Sequence, residues 1–205
     1  MEYTDTYKTI GLPNEGLYKE KGSRFIAYAF PVTDEQQIKE IITNLKKEHH
    51  SARHHCFAWR LGTDQQSFRV NDDGEPSGTA GRPIYSQIQQ HELTDILVVV
   101  VRYFGGILLG TSGLINAYKH ATADVLNNAS IMEKVIEINV EVNFDYLAMN
   151  DFMRIIKEFQ VGMKESHFDT TCKVNFSVRK QLKDQIMEKL GKIDHLKAHL
   201  TAVNP

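Results

Sequence analysis

The chain has no long apolar run: nothing in it approaches the ~20 consecutive apolar residues of a membrane-spanning helix. Cysteine is scarce. Cys56 and Cys172 stand far apart with no metal-like spacing, which argues against a disulfide scaffold or a zinc module and leaves two reduced thiols as the expectation. Neither charge is in large excess. The formal net charge is −2, with 13 basic and 15 acidic residues through position 130 and 11 of each after it. Neither part is a basic module, so indiscriminate DNA binding is set aside and any nucleic-acid contact must use a local patch. The P-loop spacing, the dinucleotide fingerprint and the G-x-S-x-G elbow are all missing. The opening MEYTDTYKTIG has neither the basic start nor the apolar core of a secretion signal. The expectation is a cytoplasmic protein that does not associate with membranes.

What is present is ordinary for a globular chain: 205 residues, 41% hydrophobic and 24% charged, enough for one large or two small domains. Its organising stretch is TDILVVVVRYFGGILLGTSGLINAYKHATA, residues 94–123. The run 96–101 is β-branched except at Leu97 and reads as a strand buried on both faces. Gly105, Gly106, Gly110, Thr111, Ser112 and Gly113 follow, and then Leu114, Ala117, Tyr118, Ala121 and Val125 recur at helical spacing. A glycine-rich connection between strand and helix brings backbone N–H groups close to a ligand, and the helix start adds partial positive charge. An oxyanion such as phosphate would suit it. The structural alternative is that these glycines only make a tight turn.

Residues 3–16 read as an irregular lead-in, followed by strands at 17–20 and 24–30 turned at Lys21-Gly22-Ser23. Thr33 or Asp34 can cap a helix to about Glu48. Strands are expected at 56–61 and 66–70, and then NDDGEPSGTAGRP, residues 71–83, excludes regular structure. Ser77 or Thr79 can cap a helix over 80–90. Asn127, Asn128 and Ser130 mark a domain boundary, giving domains 1–130 and 131–205. The second carries strand 135–144, a helix capped by Asp145, strands 161–169 and 172–179, helix 181–190 and strand 193–202. That order, βαββαβ, is the ferredoxin-like arrangement, which leaves one sheet face free for RNA or protein.

Four histidines, His49, His50, His54 and His55, crowd one segment, but on a strand His54 and His55 face opposite ways and cannot join one metal site. Asp72, Asp73 and Glu75 can hold a hard cation or simply form a solvated turn. Arg82, Arg102, Tyr103, Phe104 and Lys119 are interleaved with the glycine loops; Arg pairs with phosphate and Tyr or Phe stacks on an unpaired base. Equally, Tyr103 and Phe104 can be part of the core and Arg102 can pair with Asp72 or Asp73. No nucleophile stands beside a base and an orienting acid, so no catalytic residue, metal or cofactor is assigned.

DDGEPSGTAGRP followed by VVVRYFGGILLGTSGLINAY resembles the Impact/YigZ family, and HHCFAWRLG fits the strand that precedes its acidic loop. The resemblance covers nearly the whole chain. It implies an α+β fold: an Impact-type N-terminal domain, a ribosomal-protein-S-five domain-2-like α/β sandwich similar to a domain of elongation factor G, and a ferredoxin-like domain similar to another. It also implies a role tied to translation, since eukaryotic relatives regulate translation through a stress kinase that phosphorylates an initiation factor. The sequence departs from the family where many relatives have G-G-L-V-R-A-Y: Ser112 replaces a glycine and Asn116 an arginine. The phosphate-binding set loses a cation there, and the Ser112 hydroxyl can cap the helix or donate to an oxyanion. The expectation is a non-enzymatic translation-linked regulator that binds RNA, the ribosome or a translation factor. Its surface would be built from Arg82, Arg102, Tyr103, Gly105, Gly106, Gly110–Gly113 and Lys119. The alternatives are an enzyme acting on a phosphorylated substrate with a divalent cation at Asp72, Asp73 and Glu75, or a purely protein-binding regulator.

Overall fold

The computed structural model describes residues 5–64 and 66–201, which divide into two compact units. One comprises Tyr7–Lys134; the other comprises Val135 onward together with residues up to Thr6.

The first unit contains β1 (Thr6–Ile10), β2 (Asn14–Glu20), β3 (Ser23–Pro31), α1 (Glu35–Glu48), β4 (His54–Leu61), β5 (Ser67–Asn71), α2 (Gly81–Gln90), β6 (Ile96–Tyr103), α3 (Gly110–Asn127) and β7 (Ile131–Val135). Five strands form one sheet in the order β2-β3-β6-β4-β5, every neighbour antiparallel. The apolar run takes the centre because only there are both faces covered. On one face Val98 and Val100 meet Ile84 and Ile88 of α2 and Leu114, Tyr118 and Val125 of α3. On the other, Leu97, Val99 and Val101 meet Ile38 and Leu45 of α1.

The central strand is longer than the apolar run. Pairing with β3 (Phe25↔Arg102, Arg24↔Tyr103) and with β4 (His54↔Arg102) carries the ladder through Arg102 and Tyr103. Strand pairing on both sides therefore draws into the sheet two residues expected in a loop. The lead-in is also more regular than expected, because β1 pairs with β7, a partner more than a hundred residues away that no local pattern reveals. Residues 3 and 4 of that expected lead-in lie outside the described residues.

The helix starts follow different rules. Asp34 caps α1 as expected, accepting from the Gln37 N–H at 2.8 Å. Neither Ser77 nor Thr79 caps α2: its N-cap is Ala80, and the cap is supplied from a distance by Asp72. α3 begins at Gly110, two residues before Ser112, and no side chain caps it.

The second unit contains β8 (Glu137–Asp145), α4 (Met149–Glu158), β9 (Met163–His167), β10 (Thr171–Arg179), α5 (Lys183–Leu190) and β11 (Leu196–Leu200), in the expected order βαββαβ. Its sheet runs β11-β8-β10-β9. Asp145 does not cap the helix that follows; a short 3₁₀ turn at Tyr146–Ala148 intervenes. Val140, Val142 and Phe144 alternate inward against Phe152, Ile156 and Ile186, leaving Asn139, Glu141 and Asn143 on the opposite face. By register Lys173, Asn175 and Ser177 of β10 and Lys197 and His199 of β11 share that face. Among the described residues it carries no Phe, Tyr or Trp, and Lys173 is paired with Glu141 at 2.9 Å.

One backbone contact fixes the end of β6. The turn between β2 and β3 presses on Gly105, whose N–H donates to Ser23 Oγ at 3.0 Å. A Cβ at Gly105 would overlap the Gly22 carbonyl carbon and the Ser23 nitrogen, so no side chain fits. Gly105→Ala is expected to destabilise the first unit by about 1–3 kcal/mol, the usual cost of overpacking. Denaturant melts of the two proteins check this, and an unchanged midpoint would contradict the contact.

Candidate functional site

In the first unit a groove of about 800 Å³ lies beside the end of β6 and the start of α3. Its walls are apolar: Pro76 from the acidic loop, Phe104, Leu108 and Leu109 from the connection, and Leu114 from α3. Phe104, Ile107 and Leu108 are 56%, 55% and 84% exposed. Single exposed apolar residues are unremarkable, but here three stand within five residues of one connection. Ser51, Arg53 and His54 border the groove at β4, and Gly110 and Thr111 bring in the first turn of α3.

The floor is ionic and buried. Arg102 Nη1 donates to Glu75 Oε1 at 2.8 Å, and the Tyr118 hydroxyl donates to the same oxygen at 2.8 Å. The Arg102 guanidinium also sits over the rings of Phe25 and Phe104, 5.5 and 5.6 Å from their centroids. Arg102 is only 6% exposed, and its Nε has no hydrogen-bond partner among the described residues. Behind Tyr118 lies Cys56, its Sγ 3.0 Å from the Asp72 carbonyl oxygen and 3.3 Å from the Tyr118 hydroxyl oxygen. Burial pushes both the Cys56 thiol and the Tyr118 phenol far above their ordinary range. Both stay protonated, so Cys56 is no nucleophile.

The acidic loop is committed to the fold. Asp72 accepts from the Gly78, Ala80 and Gly81 amides at 2.9, 3.0 and 2.8 Å. Burial pushes its carboxyl up, but the three amides together outweigh that and hold it below its ordinary value. Asp73 accepts from the His55 amide at 2.7 Å and pairs with Lys46 at 3.0 Å. Glu75 takes Arg102. The carboxylate on Arg102 is therefore Glu75, not Asp72 or Asp73. Among the described residues no three His, Cys, Asp or Glu side chains gather as a metal site. Of the three acids only Glu75 lines the groove, so the enclosed triad that the enzyme alternative requires is not formed.

The expected anion surface is likewise divided. Arg102 turns inward instead of outward, because the ladder places it on the α2–α3 face above Glu75. Tyr103 falls on the opposite face, where its hydroxyl lies 2.9 Å from His49 Nδ1 and Arg24 covers its ring at 5.0 Å. Arg82 and Lys119 are exposed on their helices but do not line the groove, and neither do Gly105, Gly106, Ser112 or Gly113. Gly110 and Thr111 do line it, and so do Arg102 and Tyr103. His54 and His55 face opposite ways, as the strand period requires. Nδ1 of His54 donates to the Asp73 carbonyl at 2.9 Å, whereas the His55 ring is buried and its desolvation lowers its pKa.

Sequence reasoning passed over the aliphatic lip itself. ILL in FGGILLG matches neither a helical nor a strand period, and the glycines around it drew the attention. A separate groove in the second unit, about 560 Å³, is bordered by Asp151, Arg154, Glu158, Lys189 and His195. Four of its charges pair within it, Arg154 with Asp151 and Lys189 with Glu158, and Lys192 pairs with Glu188.

Residues 21–126 match the family model described as the Impact N-terminal domain. The IMPACT family member YvyE of Bacillus subtilis is 36% identical over 163 residues, covering 80% of this chain and 75% of that protein. The IMPACT family member YigZ of Escherichia coli is 41% identical over 116 residues, covering 56% and 57%. A crystal structure of a protein described as hypothetical superposes with a TM-score of 0.73 at 27% identity, over 97% of this chain and 98% of its own.

Removing the distal cap tests the scaffold assignment of the acidic loop. Asp72→Ala is expected to cost about 1–2 kcal/mol at neutral pH, as lost N-caps do. Because the folded carboxyl titrates below its unfolded value, the wild-type advantage is full above the unfolded pKa of about 4 and is lost as pH falls through the folded pKa. Urea melts of both proteins at neutral and strongly acidic pH check this; a gap that does not shrink in acid counts against the capping role.

Proposed function

Because this chain belongs to the Impact family, we propose that it is a non-enzymatic, translation-linked regulatory protein acting in the cytoplasm through a protein of the translation apparatus. The observation that carries the reading is the aliphatic lip, Phe104–Leu108, beside a groove whose buried arginine, Arg102, is already paired with Glu75. Such a surface suits a protein partner. Nucleic acid is favoured less on both units, since Arg82 and Lys119 stand apart from the groove and the open sheet face of the second unit lacks aromatic rings for stacking. The non-enzymatic reading rests on chemistry: the one nearby thiol is buried and protonated, and the acidic residues are consumed by the fold. In fold terms, we take the first unit as the ribosomal-protein-S-five domain-2-like sandwich and the second as the ferredoxin-like domain of the elongation-factor-G type. The translational link comes from the role that the family resemblance implies for eukaryotic relatives.

Affinity capture from lysate of the native organism, with and without nuclease, tests this. Ribosomal proteins or translation factors are expected to be retained after nuclease and lost with Leu108→Asp, which changes an 84% exposed residue and leaves the fold intact. Retention that disappears with nuclease would replace the protein partner by RNA. Retention indifferent to Leu108→Asp would remove the groove from the reading.

A further inference from the structure

We propose that the groove receives an extended segment of a partner protein in which an acidic side chain stands beside a large apolar one. This deepens the preceding reading and rests on the groove being the partner site. Two independent features define the occupant.

The apolar half follows from the walls. Pro76, Phe104, Leu108, Leu109 and Leu114 offer aliphatic and aromatic surface, and about 800 Å³ falls within the ~300–1,000 Å³ usual for binding sites. Two aromatic residues line the groove among the described residues, but the Tyr103 ring is engaged by His49 and Arg24, which leaves Phe104 as the exposed ring. Leucines outnumber aromatics, which fits a Leu, Ile, Met or Phe anchor better than a stacked base.

The acidic half follows from charge. The groove is lined by two arginines, Arg53 and Arg102, and by one carboxylate, Glu75, which is already engaged by Arg102 and Tyr118. Arg102 is buried and paired, so the charge left over at the groove is that of Arg53, which has no carboxylate partner among the described residues. The first turn of α3 also opens on the groove with no side-chain cap, so its amides and its partial positive charge are available to a carboxylate. A basic segment would meet the same features as repulsion. The recognition is thus of the kind in which an apolar pocket supplies affinity and a charge-assisted contact supplies register.

The test is selection of a random heptapeptide phage library on the full-length chain, followed by fluorescence-anisotropy titration of an enriched, synthesised peptide. Enriched sequences are expected to carry Asp or Glu within one or two positions of Leu, Ile, Met or Phe. Leu108→Asp and Thr111→Asp are each expected to weaken the titrated peptide at least tenfold. Thr111→Asp separates binding from folding, because an acid in the first turn of α3 favours the helix and should hold or raise the melting temperature while repelling the acidic peptide. No enrichment, enrichment of basic or purely apolar peptides, or unchanged affinity with Thr111→Asp would overturn the proposal. If peptides fail in these ways while nuclease-resistant retention of translation proteins persists, this inference falls and the broader reading stands. If acidic–apolar peptides bind as described but no translation protein is retained, the groove chemistry stands and the link to translation falls.

Discussion

Three parts of the first unit meet at one oxygen atom. Glu75 Oε1 accepts from Arg102 of the central strand and from Tyr118 of α3, and the loop that carries Glu75 is itself pinned through Asp72 and Asp73. Burying a guanidinium and a carboxylate is costly, and the pair repays that cost only if its geometry is held. The surroundings hold it: Phe25 and Phe104 lie on the guanidinium, and Cys56 backs the phenol. The value of the arrangement is therefore specificity of placement more than net stability. It ties the central strand, the acidic loop and α3 to one another at the floor of the groove.

The acidic loop shows how a cluster that looks like ligand chemistry can be scaffold. Three carboxylates within four residues each take a different class of partner: backbone amides, a lysine with an amide, and an arginine with a phenol. None is shared, so none converges on a cation. α2 in turn depends on a residue eight positions before its own N-cap. Local capping rules could not anticipate this, since Ser77 and Thr79 are the nearer and more conventional candidates.

Much of the architecture was legible because it rests on short-range patterns. The apolar run at 96–101, the α1 stripe with Asp34 before it and the alternation of the second unit all announced their elements. What was not legible came from pairing between distant segments. β1 and β7 are visible only together, and Arg102 and Tyr103 enter the sheet only because β3 and β4 extend past the apolar run on either side. The candidate site suffered most from this. Once the two residues lie on a strand, the period of two sends their side chains to opposite faces, so although both border the groove their guanidinium and ring are engaged on different sides of the sheet. The aliphatic lip had no periodicity to give it away.

The strand order has a temporal consequence. β6 lies between β3 and β4, both of which precede it in the chain. Until residue 103 is synthesised, two hydrogen-bonding edges that will be interior stand open, and the apolar faces of β3 and β4 lack the strand that joins them. A nascent chain stalled before that point would expose adhesive edges to its neighbours, and the last strand inserted is also the one that delivers Arg102. The groove beside Arg102 therefore forms only on molecules whose sheet has closed, so its presence reports that the first unit has finished folding.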